Sequence, residues 1–360
     1  MIAVYVILML YCAMIFSLVY GFSRVKPFVF EKVSQKTKFS IVVPFRNEKE
    51  NLPALLESLS TLDYPEDLYE VILIDDDSED GFSPKVPGFR VVQNIRVSAS
   101  PKKDAILTAI AIAKHEWIVT TDADCIVPQK WLATIDAFVQ KHSCEMVAGA
   151  VTYNLNGAFL QHFQQSDLAA LQGVTMGCFG LGKPFMCNGA NFAYTRDIFT
   201  KLEGFNGNDK HAGGDDVFLL QKAIAAFPEK VGYLKSAFHI VATKPVETFS
   251  GLFYQRVRWA SKTASYQSVF GKLIGILALL GNMAWIAGLV LLLMDLNQPL
   301  LLTLLLLKWL SDGWLITKTN QFLGNRTRYY LLSAISYPFF STVVALYSLI
   351  GKYEWKGRHF

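Results

Sequence analysis

The sequence predicts an α/β domain carried between membrane-spanning helices, one before it and three after it. Three observations predict this. Residues 1 to 22 contain no charged side chain, three more apolar blocks follow Leu273, and between these ends short β-branched runs alternate with helical periodicities. The 360-residue chain is 52% hydrophobic with a mean hydropathy of +0.29, and the apolar excess is confined to the two ends.

Met1 to Phe22 reaches the roughly 20 apolar residues that a spanning helix needs. It lacks the basic start and the small-residue cleavage site of a secretory leader, so it reads as an anchor. Arg24, Lys26, Lys32, Lys36 and Lys38 follow closely, and the positive-inside rule puts residues 23 to 270 on the cytoplasmic side. Phe39-Ser-Ile-Val-Val-Pro44 is then a strand stopped by proline, and Asn51 to Leu62 carries Leu52, Leu55, Leu56 and Leu59 at helical spacing. Tyr69 to Ile74 is a second strand, Phe89 to Val92 a third, Lys102 to Lys114 an alanine-rich helix and Trp117 to Thr121 a fourth strand. This alternation predicts a parallel-centred sheet covered on both faces, with ligands at the carboxyl ends of its strands.

Phe159 to Phe185 is apolar but interrupted by Gln161, His162, Gln164, Gln165, Asp167, Gln172 and several glycines. It reads as an interfacial or a core helix, not a span. Leu273 to Met294, Leu300 to Thr317 and Tyr329 to Ile350 complete the apolar blocks. Asp295 to Pro299 separates the first two, and Lys318, Arg326 and Arg328 mark the loop before the third. A full third span would leave the basic tail, with Lys352, Lys356 and Arg358, on the opposite side, so this block is either a span or, with Pro338 and its hydroxyls, re-entrant. The expected organisation is an anchor over residues 1 to 22, a catalytic domain over 38 to 250, an amphipathic interface helix over 251 to 271, a three-segment membrane region over 272 to 351 and a tail over 352 to 360.

Composition excludes some classes. The net charge of +4 gathers at the membrane boundaries, which fits anionic lipid headgroups and not nucleic acid. Cys12, Cys125, Cys144, Cys178 and Cys187 are scattered and odd in number, which argues against a disulfide framework or a zinc site.

Five constellations bear on chemistry. Asp122 and Asp124 end the fourth strand, either as solvated loop acids or as a pair that presents two carboxylates to a divalent cation. Asp75-Asp-Asp-Ser-Glu-Asp80 ends the second strand, where so many like charges require solvent, a cation or hydrogen-bond donors. Gly213-Gly-Asp-Asp216 opens an amphipathic helix, so Asp216 is a helix cap or a general base. Gln255, Arg258 and Trp259 share one helical face, either as interface anchors or as a guanidinium fork beside a flat platform. Cys187-Asn-Gly-Ala-Asn-Phe192 is a plain turn or a close-approach loop.

In this order the series resembles the family 2 glycosyltransferases with a GT-A catalytic domain, Rossmann-like and nucleotide-sugar-binding, in particular the membrane-integral members with a D, D, D, Q-x-x-R-W signature. The motifs carry the resemblance over residues 38 to 262. It implies a nucleotide-sugar site of Pro44, Arg46, Glu48, Asp75, Asp76, Lys103 and Asp122, with Asp76 at the uracil or its ribose. It further implies Asp122 and Asp124 as holders of Mn²⁺ or Mg²⁺, and Asp216 as base, with Asp215 standing where many members have Glu. Gln255, Arg258 and Trp259 match the last element, over the diphosphate and the acceptor, and Asn188, Gly189, Asn191 and Trp259 are the expected acceptor residues. The one-plus-three helix pattern is similar to ceramide glucosyltransferases and bacterial lipid- or carotenoid-directed enzymes. The implied reaction is inverting transfer from a UDP-sugar to a lipid acceptor at the cytoplasmic face of a bacterial inner membrane. A processive polysaccharide synthase and an inactive nucleotide-sugar-binding scaffold are the competing readings.

Overall fold

The computed structural model describes residues 1–31, 33–82, 88–207, 213–350, 354–355 and 358–359. Lys32 of the basic flank and Lys352 and Lys356 of the tail therefore lie outside the described residues. Along the chain, α1 (Ile2–Arg24) precedes β1 (Phe39–Phe45), α2 (Leu52–Ser60), β2 (Tyr69–Asp75), β3 (Arg90–Gln93), α3 (Pro101–Ile112) and β4 (Trp117–Thr120). Next come β5 (Cys125–Ile126), α4 (Trp131–His142), β6 (Met146–Gly149), β7 (Val151–Tyr153), α5 (Phe159–Gly180), β8 (Phe192–Thr195) and α6 (Arg196–Lys201). The chain continues with α7 (Asp215–Ala226), β9 (Val231–Leu234), β10 (Val241–Thr243), α8 (Phe249–Ala260), α9 (Val269–Met294), α10 (Pro299–Phe322) and α11 (Tyr330–Tyr347). These elements form two units, one of residues 26–154 and 186–244, the other of residues 1–25, 155–185 and 245–360.

The first of these units is built on a seven-stranded sheet ordered β3-β2-β1-β4-β8-β6-β9. β1 runs parallel to β2 and β4, β2 runs parallel to β3, and β8 is antiparallel to both its neighbours. The β-branched residues of β1 and β2 are buried on both faces, as a covered parallel strand requires. Leu52, Leu55 and Leu59 recur at helical spacing on α2 and join the core with Phe39, Ile41 and Val43. The chain steps from β1 to β2 and β3, then returns to the other side of β1 as β4. That reversal opens a crevice at the carboxyl ends of β1 and β4, the position where open α/β sheets hold ligands. A small sheet ordered β5-β10-β7 continues from the end of β4. β5, β7 and β10 escape sequence reading because none exceeds three residues, too short for a periodicity to show.

Among the described residues, the second unit contains four helices long and apolar enough to cross a membrane: α1, α9, α10 and α11. At 1.5 Å per residue, the 18 residues of α11 extend about 27 Å, close to a bilayer's hydrocarbon core. α11 passes Pro338 without a break, so the re-entrant alternative finds no turn here. The segment expected as an interfacial or core helix is a core helix: α5 buries Gln164, Gln165, Asp167 and Gln172 within this unit, not within the α/β unit that the expected boundaries assigned it to. It meets α1 through glycines. A Cβ on Gly180 would lie 1.8 Å from Gly21 O, and one on Gly177 would lie 2.7 Å from Leu18 O. Such contact is open only to residues without side chains. Gly180→Leu is expected to prevent α1 and α5 from packing, read as loss of the monodisperse peak in detergent size exclusion.

Candidate active site

The α/β unit gathers its acids at the ends of β1, β2 and β4. Pro44 lies beyond the last β1 residue paired with β4, so its missing N–H costs no ladder bond there. Arg46 follows and donates from Nη1 to Asp76 O at 2.7 Å and Asp77 O at 2.5 Å, and from Nη2 to Glu79 Oε1 at 3.0 Å. Glu48 holds Asn51 Nδ2 at 2.5 Å, and its carbonyl accepts the Asn51 and Leu52 amides at the start of α2. The loop after β1 thereby laces down the acidic loop after β2.

Within that acidic loop the carboxylates divide. Asp75 Oδ1 accepts the Ser78 amide at 2.9 Å and shapes the turn. Asp76 is buried, and its Oδ1 accepts Asn94 Nδ2 at 2.6 Å and Arg96 Nη1 at 3.4 Å. Hydrogen-bond donors, together with solvent at Asp77, meet the like-charge cost foreseen for this segment.

At the end of β4, Asp122 stands 40% exposed and Asp124 is half-buried. The Cys125 amide closes the turn onto Asp122 O at 3.1 Å, and Cys125 pairs with Thr243 of β10, so the strand end is pinned on both sides. Burial, reinforced by Asp124 and Asp122, holds the Cys125 thiol well above its ordinary range, and it stands neutral at pH 7.

Lys102 is the cation of this cluster. Its Nζ lies 2.7 Å from Asp122 Oδ1 and 3.6 Å from Asp215 Oδ2. Burial works against its charge, but Asp122 and Asp215 more than offset that and raise its pKa. Sequence reading selected Lys103 instead. That side chain is buried, with Nζ 5.5 Å from the centre of the Phe218 ring. Neighbours on a helix point about 100° apart, so only one of two adjacent lysines faces a given strand end. Nothing in the Lys102-Lys-Asp104 run marks which one.

α7 begins at Gly214, whose φ of 79° is a left-handed conformation that glycine adopts at little cost. Asp215 and Asp216 therefore fall in the first helical turn. Asp215 is buried beside Lys102, whereas Asp216 is half-exposed. Asp216 Oδ2 accepts the Gly189 amide at 2.7 Å and Oδ1 accepts the Val217 amide at 2.8 Å. Gly189 O in turn accepts Thr120 Oγ1 at 2.7 Å, which joins this loop to the end of β4. The cap half of the cap-or-base alternative is met here, because Oδ1 takes an amide of the first turn of α7.

The two expected acceptor asparagines differ in setting: Asn188 is half-buried, whereas Asn191 belongs to the framework. Asn188 Oδ1 accepts the Ala190 amide at 3.0 Å. Asn191 is fully buried: Oδ1 accepts Trp131 Nε1 at 3.0 Å, and Nδ2 donates to Ala150 O at 2.8 Å and His239 O at 2.6 Å. Sequence cannot distinguish an amide facing a ligand from one spent on buried backbone. Asn191→Ala strands Trp131 Nε1 and His239 O, while Ala150 O keeps the Val241 amide, and is expected to destabilise the protein by about 2 kcal/mol or more, read by thermal unfolding.

The other unit carries the remaining predicted residues on α8, which Thr248 caps by accepting the Gly251 amide at 3.1 Å. Gln255, Arg258 and Trp259 are half-buried along one face. Arg256, which sequence reading passed over, is buried between them.

Among the described residues, no three His, Cys, Asp or Glu side chains form a metal cage. Asp122, bonded to Lys102, and Asp124 are hard oxygen donors two residues apart. That set fits Mg²⁺ or Mn²⁺, which completes its shell from water and phosphate oxygens.

Residues 40–203 match the family described as Glycosyl transferase family 2. The poly(ribitol-phosphate) beta-N-acetylglucosaminyltransferase TarS of Staphylococcus aureus is 29% identical over 116 residues, 31% of this chain and 20% of that protein, so the match spans about a fifth of the relative. An undecaprenyl-phosphate 4-deoxy-4-formamido-L-arabinose transferase of Aeromonas hydrophila is 36% identical over 92 residues, 24% of this chain and 28% of that protein. Among solved structures, a mannosyltransferase of Pyrobaculum calidifontis in complex with GDP-Man and Mn²⁺ aligns with a TM-score of 0.57 at 18% identity, covering 93% of this chain and 99% of that one. That likeness concerns the fold, which is GT-A.

Proposed function

We propose, from the match of residues 40–203 to Glycosyl transferase family 2, that the chain transfers a sugar from a nucleotide-sugar to a lipid acceptor held in a membrane. The observation that carries the reading is the convergence of Asp122, Lys102, Asp215, Asp216 and Gly189 at one strand end, in a chain that also has four apolar helices. The Aeromonas relative acts, by its name, on undecaprenyl-phosphate, which supports a lipid as the class of acceptor.

In this reading the loops after β1 and β2 bind the nucleoside, with Asp76 at the base or ribose. Asp122 and Asp124 would hold Mn²⁺ or Mg²⁺, which when bound would offset charge on the diphosphate leaving group. Lys102, already beside Asp122, supplies a second positive charge to the same oxygens. Asp216 takes the proton from the acceptor hydroxyl as its oxygen attacks the anomeric carbon, and nucleoside diphosphate leaves. The Gly189 and Val217 amides fix the carboxylate during that transfer, so little reorganisation is needed. Asp215 is the counter-charge that keeps Lys102 in place. The basic residues after α1 favour a cytoplasmic site.

The test is release of nucleoside diphosphate by the purified full chain in lipid, with UDP- and GDP-sugars, Mn²⁺ and a lipid extract. Release that needs both metal and extract supports the proposal. No release over the whole panel of donors and lipids overturns it in favour of an inactive scaffold.

A further inference from the structure

Arg256 lies inside the Gln255–Trp259 segment, at a position that the matching of Gln255, Arg258 and Trp259 leaves unassigned. Its guanidinium ties neighbouring groups together. Nε donates to Asp167 Oδ2 of α5, Nη1 donates to Gln255 Oε1, and Cζ sits 4.2 Å from the centre of the Trp259 ring. Asp167 is buried and takes a second bond on its other oxygen, from Tyr337 Oη of α11 at 2.7 Å. Phe163, Leu252, Val257, Phe340 and Val344 form an apolar cluster among the same three helices.

We propose that Arg256 is a positioning residue: anchored through Asp167 to Tyr337, it sets the orientation of both Gln255 and Trp259. Only 5% exposed, its charge has little water to turn to, so the Asp167 carboxylate fixes where the guanidinium sits. The planar fork then dictates the rest. A guanidinium has donors and no acceptor, so it must meet the carbonyl oxygen of Gln255, which turns the Gln255 amide N–H₂ away from it. Gln255 is thereby presented as a hydrogen-bond donor, the polarity that a diphosphate or a sugar hydroxyl accepts. The flat face of the guanidinium restrains the Trp259 ring by stacking, which a lysine ammonium cannot reproduce. α11, a candidate membrane helix, thus holds a segment assigned to substrate. The catalytic consequence rests on the proposed glycosyl transfer, whereas the positioning itself does not.

Arg256→Lys keeps the charge for Asp167 and removes both the fork and the stack. Tyr337→Phe keeps the ring and removes only the hydroxyl that orients Asp167. The full chain in lipid, labelled with 5-fluorotryptophan, gives a ¹⁹F resonance for Trp259 that Trp259→Phe identifies. Arg256→Lys is expected to shift and broaden that resonance with the other tryptophan signals unmoved, and Tyr337→Phe to shift it less. In transfer assays, Arg256→Lys is expected to lower kcat by about 100-fold, the size of effect that a misplaced positioning group produces, with the donor KM nearly unchanged. A Trp259 resonance unmoved in both variants overturns the positioning role. A shifted resonance with wild-type kcat overturns its catalytic consequence. A wild-type chain that transfers no sugar would instead refute the proposed function, and the resonance would still decide the positioning.

Discussion

Asp216→Asn is expected to lower sugar transfer by about 10³-fold while donor affinity stays within a few-fold of the wild type, measured by initial rates and by titration calorimetry. The substitution is nearly isosteric. The Asn carbonyl can still accept one of the two amides, from Gly189 or Val217, so the start of α7 should survive. What disappears is the basic lone pair that the proposed mechanism assigns to the acceptor proton. Asp215→Asn should behave differently, because Asp215 is buried against Lys102 and does not share the half-exposed position of Asp216. Near-normal turnover in Asp216→Asn would assign the base elsewhere.

Chelation of divalent cations is expected to lower transfer by at least about 10³-fold, reversibly on adding Mn²⁺ or Mg²⁺, with Asp124→Asn giving a comparable loss that added metal does not restore. A cation on a departing diphosphate contributes several kcal/mol, and about 4 kcal/mol corresponds to three orders of magnitude. Lys102 makes this a sharp test. Its Nζ lies 2.7 Å from Asp122, so a positive charge already stands beside one of the two proposed metal carboxylates. Turnover that survives chelation would mean that Lys102 alone carries the leaving group.

The strand ends were legible because β-branched runs stopped by Asp75 or Asp122 leave little choice of element, and ligand sites in α/β sheets follow strand ends. The apolar helices were legible for the same reason of length and charge. Less legible was anything that depends on which way a side chain turns. Lys102 and Lys103 are adjacent and chemically identical, yet one reaches Asp122 and the other is buried near Phe218. Asn191 has the composition of a ligand contact and spends every side-chain polar atom on the framework. Arg256 was hidden because its carboxylate partner Asp167 lies 89 residues away, and Tyr337, which bonds Asp167, lies 170 residues from that aspartate, so no local pattern joins them. The boundary of α5 was missed because its polar residues, Gln164 to Gln172, suggest a surface, whereas they are satisfied inside a helical unit.

The most direct measurement is the mass of the product. With a defined lipid acceptor, a labelled nucleotide-sugar and Mn²⁺, mass spectrometry should find the lipid heavier by one glycosyl residue, in step with the nucleoside diphosphate released. A ladder of increments would contradict single transfer and favour polymer elongation. Nucleoside diphosphate released with no gain of mass on any lipid would contradict the membrane acceptor itself.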